Sequence, residues 1–176
     1  LPVTVLTGPA DVGDLDTFDT GAHGSVTFSR TLPRIPSLSL SDPTMWGALW
    51  RQLLAVRRVA GRRQRVRLHA LRAVSDGFVG ALYKFWRRST IVVTYAHGED
   101  VMIVRSSRIM YWMAVVTYRM SDLVIANCNN TRDVVIDLCS TARVSVIHPG
   151  VDARAHGLNS SQIGRADRKS TRLKRV

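Results

Sequence analysis

The stretch Thr90-Ile91-Val92-Val93-Thr94-Tyr95-Ala96-His97-Gly98-Glu99-Asp100-Val101 decides how this chain is read. Its apolar, β-branched run has no polar alternation except Thr94, which predicts a strand buried on both faces, the habit of parallel sheets. The run breaks at His97-Gly98. Glycine there lets the backbone approach a neighbour closely. Glu99 and Asp100 suit the first turn of a following helix, where carboxylates complement the dipole.

The same grammar repeats on both sides. Upstream, Val66 to Leu71 predicts a strand and Asp76 to Trp86 a helix, with Phe78, Val79, Leu82, Phe85 and Trp86 turned inward. Downstream, Val101 to Met120 predicts one long helix and Leu123 to Asn127 a strand. Asn130 to Leu138 predicts a helix, with Asn130 as its cap and Asp133 near capping-box spacing. Arg143 to Ile147 is the last strand, and His148-Pro149-Gly150 its exit. Alternating strands and helices predict an α/β domain, a Rossmann-like parallel sheet with helices on both faces. Such sheets bind ligands beyond the carboxyl ends of their strands. Three polar turns should therefore converge: His97-Gly98, Asn127-Cys128-Asn129 and His148-Pro149-Gly150.

The first part of the chain is looser. Pro2 to Thr7 and Ser25 to Leu32 read as strands, Gly8 to Gly24 as a loop and Pro33 to Pro43 as a connector. Residues 44 to 59 predict a helix capped by Ser41 or Asp42 and stopped by Gly61. Its apolar stripe is read as Trp46, Leu49, Trp50, Leu53, Leu54 and Val56.

The 176 residues carry a net charge of +12, with 45% hydrophobic and 22% charged residues. That is an ordinary soluble composition with enough chain for one core. No run approaches the ~20 apolar residues of a membrane span. Between Asp42 and Asp76 there is no acid, while Arg51, Arg57, Arg58, Arg62, Arg63, Arg65, Arg67 and Arg72 fall there. Two readings stand: a solvated helix face in an arginine-rich protein, or a surface for an anionic membrane through Arg51, Arg57, Arg58, Arg62 and Arg63. Trp46 and Trp50 beside arginines suit a helix lying in an interface. Nucleic acid is disfavoured as a partner, because residues 57 to 72 interleave no aromatic stacking residues with the arginines. From Asn159 the chain loses apolar periodicity and carries six basic residues against one acid. Residues 156–176 are read as a disordered basic tail, non-native in origin, and residues 1–155 as the domain.

Site chemistry is sparse. Cys128 and Cys139 lack a disulfide framework and metal-ligand spacing, and no metal site is expected. Reduced thiols fit a cytosolic setting. No phosphate-loop, dinucleotide-binding, nucleophile-elbow or zinc-protease motif occurs. Glu99 and Asp100, being adjacent, point apart on a helix and make a poor acid–base pair. His97 is either a structural residue or a ligand-binding group at a helix start. Asn129, Asn130 and Thr131 suit capping. Arg132, in the first turn of its helix, works against the dipole and so favours an anionic partner.

Taken in order, VTVLTG (3–8), YAHGEDV (95–101), SDLVIANCNNTRDVV (121–135) and VSVIHPGVD (144–152) resemble the N-terminal domain of family 4 retaining glycosyltransferases, which have the GT-B fold. LHALRAVSDGFVGALYKF (68–85) resembles that domain's strand and acceptor-side helix. The resemblance covers roughly residues 1 to 155. It implies transfer of a sugar from a nucleotide-sugar donor to a sugar or lipid-linked acceptor, with retention and without a cofactor or metal. It implies His97 as the catalytic group facing the donor sugar. The implied cleft residues are Gly98, Asn127, Asn130, Thr131, Arg132 and His148. Cys128 stands where the family often has serine. The family's first strand, its glycine-rich loop and its nucleotide-binding C-terminal domain have no counterpart here, so the chain resembles a fragment. A break in the sheet, and no transferase activity by the chain alone, are the corresponding expectations. The setting implied is cytoplasmic, peripheral at the inner face of a membrane.

Overall fold

The computed structural model describes residues 3–6, 17–19, 25–29, 42–61 and 65–149. The Pro33–Ser41 connector, most of the Gly8–Gly24 loop, Arg62, Arg63, Gly150 and the tail 156–176 lie outside the described residues.

The strands form two sheets. The first holds β1 (Val3–Leu6), β2 (Thr17–Asp19) and β3 (Ser25–Ser29) in the order β1-β3-β2. β1 is parallel to β3, and β2 antiparallel to it. The second holds β4 (Val66–Ala70), β5 (Thr90–Ala96), β6 (Leu123–Ala126) and β7 (Val144–Val146) in that order, all parallel. The α/β class and the parallel sheet are as expected.

Helix α1 (Pro43–Ala60) begins where Asp42 accepts from the Thr44 backbone N–H at 2.9 Å, and stops at Gly61, whose φ is 55°. A π-helical turn, Ala73–Gly77, leads into α2 (Phe78–Trp86). The predicted long helix is broken in two, α3 (Gly98–Val104) and α4 (Arg108–Met120). Ser107 is extended at φ −140° between them. The Ser106-Ser107 pair is the cause visible in sequence, since serine offers the backbone alternatives to helical bonding. Helix α5 spans Asn129–Leu138.

Right-handed crossovers between strands laid down in one direction place α2, α4 and α5 on one face of the second sheet. Burial agrees. Thr90, Val92, Thr94 and Ala96 are buried, while Ile91 between them is 41% exposed. On the opposite side of β5, Ile91 is exposed and Val93 and Tyr95 are half-buried, so the two faces of its apolar run are covered unequally.

The core joins Met45, Leu49 and Leu53 of α1 to Val79 and Tyr83 of α2, Met113 and Tyr118 of α4, Val124 of β6 and Val135 of α5. Two stripe assignments are corrected. On α1 the inward face is Met45, Ala48, Leu49, Gln52 and Leu53, and Trp46, Trp50 and Leu54 are exposed. Residues 46, 50 and 54 repeat at helical spacing too, so periodicity alone does not choose between neighbouring stripes. On α2 the inward residues are Val79, Gly80, Ala81 and Tyr83, while Leu82, Phe85 and Trp86 face outward. Small residues face the sheet because the helix sits close upon it.

A polar seam crosses this core. Thr117 Oγ1 reaches Ala73 O at 2.9 Å and Met113 O at 2.8 Å. Ser121 Oγ donates to Thr117 O at 2.8 Å and meets Thr94 Oγ1 at 2.8 Å. At the amino edge, Asp122 Oδ2 accepts from the Val92 N–H at 2.8 Å and from Lys84 Nζ at 2.7 Å. Desolvation raises the Asp122 pKa, but the bonds from Lys84 and Val92 outweigh it and hold the carboxyl below its ordinary range. Thr90 is different: its hydroxyl is buried without a hydrogen-bond partner. Valine is isosteric there and removes an unsatisfied group. Thr90→Val is expected to raise stability by about 1 kcal/mol. A higher urea midpoint at unchanged slope is the readout, and a lower midpoint refutes it.

Candidate functional site at the carboxyl edge of the second sheet

The register aligns the strand ends. Ala96 lies beside Ala126, and Ala126 beside Val146. The ladder continues one step further, with the Asn127 N–H to Ala96 O at 3.4 Å and the Ile147 N–H to Ala126 O at 2.9 Å. His97, Asn127 and His148 therefore leave neighbouring strands at one level, as the three-turn reading expected. His97 and His148 are exposed, and Asn127 half-buried.

The turn after β6 is organised from within. Thr131 is buried, and its hydroxyl donates to Asn127 Oδ1 at 2.7 Å. That bond occupies the amide oxygen and leaves the Asn127 NH2 as a donor. Thr131 thus fixes the orientation of the Asn127 side chain. Cys128 takes the N-cap position of α5, so Asn130, exposed in the first turn, is not the cap.

Cys128 Sγ lies 3.2 Å from Thr131 Oγ1. The Thr131 hydroxyl and then its backbone N–H stabilise the thiolate, lowering the Cys128 pKa despite desolvation and the nearby Asp133. Thr131 has a single hydroxyl proton. With the thiol neutral that proton serves Asn127; when the thiolate forms, the hydroxyl can turn to the sulfur and joins the backbone N–H in stabilising it. A lowered pKa means more thiolate at neutral pH. Cys128 is expected to alkylate severalfold faster than buried Cys139, and Thr131→Val to slow it. Mass-resolved iodoacetamide labelling checks this; preferential labelling of Cys139 is the contrary outcome. Sequence reading had treated both thiols alike, because the cap contact depends on the turn's geometry.

Two other observations bear on the expected cleft. Arg132 is paired with its neighbour: its Nε and Nη2 atoms donate to Asp133 Oδ1 at 2.9 and 2.8 Å, both side chains remaining well exposed. Gly98 is not required for close approach. A methyl group built on it would meet Thr131 Oγ1 at 3.6 Å, an ordinary contact. The β5–α3 and β6–α5 turns therefore lie side by side, near enough for an added methyl group to reach Thr131. Arg51, Arg57 and Arg58 sit exposed on α1, away from this edge in sequence and element.

One pair was missed. His69 Nδ1 lies 3.3 Å from Tyr95 Oη, across β4 and β5 near the carboxyl edge. His69 pairs in register with Val93, two residues before Tyr95. Parallel pairing of the two runs in sequence would have brought them together. Among the described residues no cluster of three or more His, Cys, Asp or Glu side chains is placed to hold a metal ion.

Comparison with solved structures gives the same architecture. One chain of sucrose-phosphate synthase from Thermosynechococcus elongatus matches with a TM-score of 0.56 at 14% identity, over 96% of this chain and 86% of that chain. Another chain of that enzyme matches with a TM-score of 0.60 at 12% identity, over 86% of this chain but 39% of that chain. No curated protein matches by sequence. The family model of Glycosyltransferase Family 4 matches residues 2–155, nearly the whole chain, and with the fold and the aligned strand ends already in place the chain belongs to glycosyltransferase family 4.

Proposed function

We propose that this domain supplies the acceptor-side wall of a retaining sugar transfer from a nucleotide-sugar donor, without a metal ion. The observation that carries the reading is the alignment of His97, Asn127 and His148 at one sheet edge in a member of this family. His97, exposed at the end of β5, is placed to hydrogen-bond the donor sugar. Asn127, its amide oriented by Thr131, offers an N–H donor to a sugar hydroxyl. His148 borders the same edge, and Asn130 is exposed in the first turn of α5.

Among the described residues at this edge the arginine in the first turn of α5, Arg132, is paired with Asp133. In this reading the nucleotide is held by a second domain, and the 176-residue chain by itself is expected to turn over no nucleotide sugar. Its two free thiols suit a reducing compartment, and we read the protein as cytoplasmic. None of the described helices is long and apolar enough to cross a membrane.

The test is a titration of the 15N-labelled chain with simple sugars and with nucleotide sugars, following His97, Asn127 and His148 by NMR. Sugar-dependent shifts confined to these residues support the site. Shifts elsewhere, or none, remove it. Turnover of a nucleotide sugar by the chain alone overturns the need for a second domain.

A further inference from the structure

A groove lies where α3 gives way to α4. It holds about 390 Å³ and is lined by Arg105, Ser107, Arg108, Tyr111 and Trp112. That volume suits a small ligand. None of these residues belongs to the carboxyl-edge site. The break between the helices sets the cations apart: Arg105 follows the end of α3, Ser107 is extended, and Arg108 opens α4. Arg105 leans toward α5, where Asp137 Oδ2 lies 3.6 Å from it and both side chains are well exposed. So long and exposed a pair contributes little and yields to a better anion. Arg108 is exposed and pairs with no acid among the described residues. The Ser107 hydroxyl makes no capping bond to α4. Trp112 is 64% and Tyr111 38% exposed, although the next two residues, Met113 and Ala114, are buried. The two rings stand edge to face, with centroids 6.0 Å apart and planes at 86°.

We propose that this groove binds an acidic oligosaccharide, a short chain of pyranose rings that carry carboxylates. Three features select that occupant. The C–H face of a pyranose is apolar and lies flat on an aromatic ring, and exposed tryptophan and tyrosine offer such rings with a polar tip in water. Guanidinium groups hold carboxylates in a two-point fork and keep their charge at any working pH. The two cations come from either side of the helix break, which suits charges repeated along a chain better than one compact charge. A neutral sugar would leave the Arg108 charge without a partner. A mononucleotide fits less well. Side chains adjacent on a helix point about 100° apart, and the 86° between these rings keeps them from sandwiching a flat base. A plain acidic peptide would satisfy the arginines and leave the rings unused.

The experiment uses the full chain with trigalacturonic acid, and with maltotriose, tetraglutamate and uridine monophosphate for comparison. Calorimetry is expected to show trigalacturonate binding at least about tenfold tighter than any of the other three. Raising the salt should weaken it. Tryptophan emission should change on binding. Trp112→Phe keeps a stacking ring, so it should abolish that change while leaving the calorimetric affinity within about threefold. Trp112→Ala, and Arg105→Gln with Arg108→Gln, should each weaken binding at least about tenfold. All three side chains are exposed, so circular dichroism and the unfolding midpoint should change little. His97→Ala, at the sheet edge, should bind trigalacturonate as the wild type does. Binding lost in His97→Ala moves the saccharide to that edge and overturns the proposal. So does wild-type affinity in Trp112→Ala or in the arginine pair, and so does no binding at all. Equal or tighter binding of tetraglutamate, of uridine monophosphate or of maltotriose assigns the groove to bare charge, to a nucleotide or to a neutral sugar, and each also overturns it. None of these readouts depends on sugar transfer, so failure here and failure of the transferase reading are separable.

Discussion

Gly77→Ala is expected to destabilise the domain by about 3 kcal/mol, the upper end of overpacking costs. The backbone there is φ −65°, ψ −40°, a conformation any residue adopts, so the constraint is space and not conformation. A Cβ at this position would lie 2.5 Å from Thr117 Cγ2, 3.1 Å from Arg72 O and 3.4 Å from Thr94 Cγ2. None of these can retreat easily. Thr117 is fully buried, and its hydroxyl is held by Ala73 O and Met113 O. Arg72 O belongs to the backbone and accepts the Gly77 N–H at 2.8 Å. Relief requires the π-helical turn to move away from α4 and β5, against a core that tolerates little expansion. A loss of this size is a large part of the ~5–15 kcal/mol that holds a domain together. Urea unfolding of the variant measures it. Thr117→Ser removes the nearest clashing atom while keeping the hydroxyl, so the double variant should recover part of the loss relative to the sum of the singles. An unchanged midpoint in Gly77→Ala would show that α2 rides higher on the sheet than described.

In the sugar transfer proposed above, His97→Ala is expected to lower the rate by about 10²- to 10³-fold. The side chain is exposed at the end of β5, so the loss should come without a change in the unfolding midpoint. Gly98→Ala is the matched control. Its new methyl group would meet only Thr131 Oγ1 at 3.6 Å, and activity should fall little. The two variants separate a chemical role for the histidine from crowding of the turn. Comparable activity in His97→Ala and the wild type would reduce His97 to a strand-end residue and leave Asn127 as the leading ligand of the edge.

How much of this was legible beforehand differs by element. The parallel strands from Val66 to Val146 were readable because β-branched runs separated by helical segments leave few other arrangements. Their alignment was readable too, since each apolar run stops where a polar turn begins and a parallel sheet gathers those ends at one edge. The family followed from the turns those strands carry. Helix faces were less readable. Trp46, Trp50 and Leu54 have helical spacing as good as that of Met45, Leu49 and Leu53, and only the position of α2 decides which stripe is covered. The break before Arg108 was overlooked because one apolar periodicity spans it and two serines weigh little against that.

The sequence by itself determined the class of fold, the order of its strands and the three turns that meet at one edge, because these follow from local patterns with periods of two and 3.6 residues. Only the tertiary structure decided which groups at that edge are free. Arg132 is paired, Thr131 is buried as a support, Cys128 holds the N-cap position of α5 and Gly77 leaves the space that a side chain would fill. Such roles arise from contacts between elements far apart in the chain, and no periodicity along the chain encodes them.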